Sequence, residues 1–117
     1  MNFLNFILLI TSVFLLSIGQ VLFKLASASF PVNFSTETFL PFLINKYFLT
    51  ALCLYGTATF LWVWVLNTTP LSIAYPFMAL AFVIVPFLSY LLLDEQLSRP
   101  LLIGSGFIIV GLIIAVR

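Results

Sequence analysis

The chain alternates between long apolar runs and short polar joints. Four runs stand out, at 3–23, 47–66, 70–93 and 100–116. The charged side chains, Lys24, Glu37, Lys46, Asp94, Glu95, Arg99 and Arg117, all fall between these runs or at their ends. A charge at the centre of a bilayer costs about 3 kcal/mol even on permissive scales. The pattern therefore predicts four transmembrane helices in one bundle, an all-α membrane protein. Alternation at period two, the mark of a membrane β-barrel, is absent. The third run is the most continuous, with no charged side chain between Pro70 and Leu93. As a helix its roughly 24 residues rise about 36 Å, enough to cross the hydrocarbon core with some tilt. Pro76 and Pro86 lie inside it. They would break a helix in water but are tolerated in a membrane bundle as kinks. Tyr75, beside the first kink, suits the wall of a cavity; the competing reading is that both prolines only shape packing.

The joints carry their own signals. Residues 25–45 form the longest, a turn-prone mixture of Ser, Thr, Asn and Pro with five phenylalanine or proline anchors. Ser35 or Thr36 suits the cap of a short helix ahead of Phe39 and Leu40, and part of the joint is expected to lie flat at the interface. Asn67-Thr68-Thr69-Pro70 is a tight turn, so the helices on either side of it are antiparallel neighbours. Pro100 suits the first turn of the last helix. On that helix Gly104, Ile108, Gly111 and Ala115 share a smooth face, for packing inside the bundle or for a dimer interface.

Composition agrees with the pattern. Of 117 residues, 64% are hydrophobic and 6% charged, where a soluble domain carries about 25% charge. Mean hydropathy is +1.33. The single cysteine, Cys53, excludes a disulfide within the chain and reads as a packing residue. There is no histidine, and no phosphate loop, zinc spacing or nucleophile elbow, so neither an enzyme nor a cofactor or metal is expected. Nucleic acid is not an expected partner. The N-terminal run lacks a basic flank and a small-residue cleavage site and reads as the first helix, not a removed signal. With four spans, Lys24, Lys46 and Arg99 share one side against Arg117 on the other, a small bias that places the long joints in the cytoplasm, with either orientation or both left open.

Polar side chains near or inside the spans are the candidates for chemistry. Ser17, Gln20 and Lys24 are three and four apart at the end of the first helix, on one face. Polar groups at such depth tend to face a bundle interior or a wet cavity. Lys24 is read either as a snorkelling lysine or as an anion contact. In the second helix, Trp62 and Trp64 are belt aromatics by default, and Gly56 to Thr59 make a small-residue patch.

These residues carry a resemblance. Gly19-Gln20-x-x-x-Lys24, Leu61-Trp62-x-x-Val65-Leu66, Pro70-x-x-Ile73-Ala74-Tyr75-Pro76, Glu95-x-x-Ser98 and Gly104-x-x-Phe107-Ile108-Ile109-x-Gly111 resemble four-helix, EamA-like members of the drug/metabolite transporter superfamily. The small multidrug resistance branch would need an embedded glutamate where this chain has Leu16, and a tryptophan where it has Met78. Its Gly-Val-Gly kink is Leu80-Ala81-Phe82 here, although Tyr55, Tyr75 and the Gly104–Gly111 heptad match. The chain is more similar to the small subunits that flip undecaprenyl-phosphate-linked aminoarabinose across the bacterial inner membrane. That resemblance implies a lipid-linked sugar as substrate, a polyprenyl-phosphate carrier as lipid partner, and a homodimer or paralogous heterodimer as assembly. It also implies roles for Lys24 at the phosphate, for Ser17, Gln20, Asn67 and Tyr75 as hydrogen-bonding groups, and for Tyr55 and Trp62 against a sugar ring or lipid. A small-solute or drug exporter, and a non-transporting accessory subunit, are the alternatives.

Overall fold

The computed structural model describes residues 3–30 and 36–116; the expected cap at Ser35 and the charge at Arg117 lie outside them. Helix α1 is Phe3–Ser27, α2 Thr36–Leu43, α3 Lys46–Leu66, α4 Leu71–Ala74, α5 Ala81–Leu93 and α6 Arg99–Ala115. A 3-10 stretch, Tyr75–Leu80, joins α4 to α5, so Leu71–Leu93 forms one span. Together with α1 and α3 it is long and apolar enough to cross a membrane, and α6 is a shorter apolar helix. No strand occurs among the described residues, and the fold is the four-helix membrane bundle that the charge pattern predicts.

Local chemistry sets where each helix starts and stops. The first helix runs four residues past Phe23, and the Ser27 hydroxyl donates to the Lys24 carbonyl at 2.6 Å, occupying one of the orphan acceptors of the last turn. Asn45 caps α3, its Oδ1 accepting from Tyr47 and Phe48 N–H at 2.9 and 3.3 Å. The third span narrows where Pro76 offers no N–H to the carbonyl of Ser72, and the backbone tightens to 3-10 geometry there. Asp94 ends α5 in the left-handed region, at φ 55°, and the Glu95 N–H reaches back to the Ser89 carbonyl at 3.3 Å. That is a Schellman-type stop made with aspartate in place of glycine. Ser98 caps α6 by accepting from Leu101 N–H at 3.2 Å, with Pro100 in the first turn.

Packing is centred on the antiparallel pair α1 and α3. Ala51, Ala58 and Val65 recur every seventh residue of α3 and are fully buried. Opposite them lie Leu9, Val13, Gly19 and Val21 of α1. A side chain at Gly19 would begin 3.7 Å from the Ala51 carbonyl, so the two backbones pass close together there. One end of the pair is tied by Asn5, whose Nδ2 donates to Thr68 Oγ1 at 2.7 Å and Thr69 Oγ1 at 3.1 Å. The other end is tied by Asn45 Nδ2 donating to Ser29 Oγ at 3.2 Å, under a cluster of Phe23, Phe30, Phe42 and Phe48. We call these the turn end and the joint end.

The third and fourth spans are buried only toward the turn end. Ala74 and Phe77 join Leu9 and Val65 in the core, with Trp62, Leu80 and Leu112 against them. Neither α5 nor α6 contributes a buried residue. The bundle is thus closed at the turn end and open sideways along α5 and α6 in its joint half.

Candidate functional site

The opening has a definite shape. Gln20 of α1 faces Ala81, Phe82, Val85 and Pro86 of α5 and Leu101 of α6 across a crevice of about 390 Å³. Pro86 and Leu101 also line a second, apolar cleft of about 310 Å³, reached by Phe14 of α1 and Ser105 of α6. The two openings therefore adjoin.

Polar groups inside the spans divide sharply. The hydroxyls of Ser12, Ser17, Thr50, Thr57 and Thr59 each donate to a carbonyl four residues earlier, at 2.7–2.9 Å. This back-bonding satisfies them on their own helix. Gln20 is different: its carboxamide is exposed and has no hydrogen-bond partner among the described residues. The helix explains the split. At 100° per residue, Gln20 stands about 60° around α1 from Ser17, enough to move it from the buried seam into the crevice.

The remaining candidates fall into two groups. Lys24 is exposed one turn beyond Gln20, toward the joint end. Tyr55 is half-exposed, its ring 6.4 Å from that of Phe23. Toward the turn end, Trp62 meets Tyr75 edge-on at 6.5 Å. Asn67 is exposed on the outer side of α3 beside Phe60, Val63 and Trp64, away from that pair. The structure thus groups Gln20 and Lys24, and separately Trp62 and Tyr75, while Ser17 is buried in the seam and Asn67 points outward. Pro86 lies in the wall of the crevice as well as in α5. Gly104, Gly111 and Ala115 are exposed and Ile108 is partly buried; a side chain added at either glycine would meet nothing within 4 Å.

Sequence reasoning passed over Asn5, Phe82 and Leu101. Asn5 had a signal: it is the one carboxamide inside the first apolar run before Gln20. Phe82 and Leu101 had none, since an apolar residue facing lipid and one facing a crevice look alike.

Four apolar spans, a seam of small residues and an unpaired carboxamide facing a lateral crevice define a small integral membrane transport protein. Neither a family model nor a solved structure matches the chain. Curated relatives do. A protein of Aeromonas salmonicida named probable 4-amino-4-deoxy-L-arabinose-phosphoundecaprenol flippase subunit ArnE is 34% identical over 111 residues, 92% of this chain and 93% of its own. Proteins of the same name from Proteus mirabilis and Aeromonas hydrophila are 30% and 37% identical over 109 residues each, covering 93% and 90% of this chain and 93% and 91% of theirs. The chain belongs to the family of ArnE flippase subunits, integral proteins of the bacterial inner membrane.

Proposed function

We propose that the chain carries a polyprenyl-phosphate-linked amino sugar between leaflets, with the headgroup entering sideways through the Gln20 crevice. The observation that carries this reading is the unpaired carboxamide of Gln20, facing the opening between α1 and the α5–α6 pair. An unsatisfied amide at that depth is costly unless water or a ligand meets it. A sugar supplies hydroxyls at that height while its polyprenyl chain stays in the lipid. Lys24, one helical turn nearer the joint end and exposed, is placed as a point charge for the phosphate. Such a substrate holds its amine and its phosphate together and travels as its own ion pair. That fits a chain with no carboxylate in any span.

The test is native mass spectrometry of the complex released gently from its own membrane. Wild type is expected to carry a polyprenyl-phosphate adduct. Lys24→Ala is expected to lower its occupancy about tenfold, the usual scale for losing a hydrogen bond to a charged group. A wild-type complex free of such lipid would overturn the reading.

The relatives' designation as subunits supports an assembly of two such chains, identical or paralogous. The Gly104, Gly111 and Ala115 face is offered as the surface between them, because it lies open. Gly104→Leu and Gly111→Leu should leave the melting of the single subunit within about 0.5 kcal/mol of wild type. The same variants should convert the complex to monomers in the spectra. Intact complexes in both variants would assign the interface elsewhere.

A further inference from the structure

The Gln20 crevice contains a second unsatisfied acceptor, one that belongs to the backbone. In α5 the carbonyl of Phe82 would accept from the N–H of residue 86. Residue 86 is proline and has no N–H to give. Residues four apart share a helix face, and Phe82 and Pro86 both line the crevice opposite Gln20. The hydroxyls of the spans are turned onto their own helices, so the polar character of this opening comes from the Gln20 carboxamide and this carbonyl.

We infer that Gln20 Oε1 and the Phe82 carbonyl oxygen form an acceptor pair that selects a lipid headgroup bearing a primary amine. This deepens the function proposed above and rests on it. The chemistry favours an amine over a hydroxyl at the same place. An ammonium has three N–H donors and can engage both acceptors at once, whereas a hydroxyl has a single proton and satisfies only one. Its charge is stabilised by oriented carbonyl dipoles, which take the place of hydration water without requiring a carboxylate. The headgroup's own phosphate supplies the counter-charge, leaving the pair to choose by hydrogen-bond number and by dipole. Pro86 thus acts as a specificity device: it withdraws a donor from the helix and leaves an acceptor for the ligand.

The test compares two short-chain polyprenyl-phosphate pentoses, one with an amine and one with a hydroxyl at the same carbon. Their affinities are measured for the complex in lipid nanodiscs. Wild type should prefer the amine by about tenfold. Gln20→Leu removes one acceptor, and Pro86→Ala restores the N–H that reoccupies the other. Each should bring the preference close to one while the hydroxyl lipid binds as before. Gln20→Glu should raise the preference above that of wild type. A preference unchanged in Gln20→Leu would overturn the inference, as would an equal response of both lipids to Gln20→Glu. A hydroxyl lipid that no longer binds Pro86→Ala marks a damaged helix, and the two Gln20 variants then decide. Failure of the underlying reading looks different: wild type binds neither lipid.

Discussion

Replacing Ala58 by leucine should cause the largest loss of stability available to a single methyl-to-isobutyl change in this chain. Ala58 is fully buried at the middle of the α3 stripe, with Ala51 and Val65 one heptad to either side. Lipid tails are as apolar as leucine, so the α1–α3 pair gains little from hiding apolar surface and depends on close contact. That contact exists because the stripe is small and because Gly19 lets α1 approach the Ala51 carbonyl. Three extra carbons at residue 58 must either push the helices apart or take a strained rotamer. Overpacking of this kind costs about 3 kcal/mol at the upper end of its usual range. Gly19→Ala is the matched control. Its new methyl would sit 3.7 Å from the Ala51 carbonyl oxygen, an ordinary contact, and should be close to neutral. Unfolding in mixed micelles, followed by helical circular dichroism, separates the two. Equal stability of Ala58→Leu and wild type would mean that α1 and α3 are held together elsewhere.

The seam also shows what the sequence discloses and what it hides. Charge placement marks the four spans and their returns, because hydrocarbon rejects charge strongly and uniformly. It does so within a few residues: α1 continues to Ser27, past the apolar edge at Phe23, since Ser27 can satisfy a terminal carbonyl itself. Hydropathy is silent on which side of a span faces protein. Phe60 and Val65 are both apolar residues of α3, yet Phe60 is 70% exposed and Val65 fully buried. In water that contrast would be written as polar against apolar; in lipid both faces are apolar. The crevice was therefore legible only through its polar member, Gln20. Grouping Ser17, Gln20 and Lys24 by their spacing of three and four treats a 60° difference as none, and the structure uses that difference to hide Ser17 and open Gln20. The role of Pro86 was only half legible. Its missing N–H is evident from the residue type, but the direction of the carbonyl it frees depends on which face α5 turns toward α1.

Asn5→Leu should loosen the turn end specifically. The Asn5 carboxamide is 7% exposed and Thr69 5% exposed, close to the point where α1 enters the membrane. Asn5 joins α1 to both threonines of the turn between α3 and α4. Leucine would add apolar contact to lipid-like surroundings but leave two hydroxyls without their donor, one of them buried. Polar contacts between membrane helices are worth about 0.6 kcal/mol on average and reach about 1.7. With two bonds lost and a buried oxygen stranded, the expected cost is about 2 kcal/mol. Converting Thr68 and Thr69 to valine as well should recover much of that loss, because the stranded oxygens disappear with it; a double-mutant cycle measures the coupling directly. Location distinguishes this effect from general damage. The turn end holds the core of Leu9, Val65, Ala74 and Phe77, the only place where the third span is buried among the described residues. Hydrogen exchange in Asn5→Leu should therefore rise at residues 68–80 and stay low along Ala51 and Ala58. Uniform acceleration along α3 would show that the three side chains support the whole bundle instead of closing one of its ends.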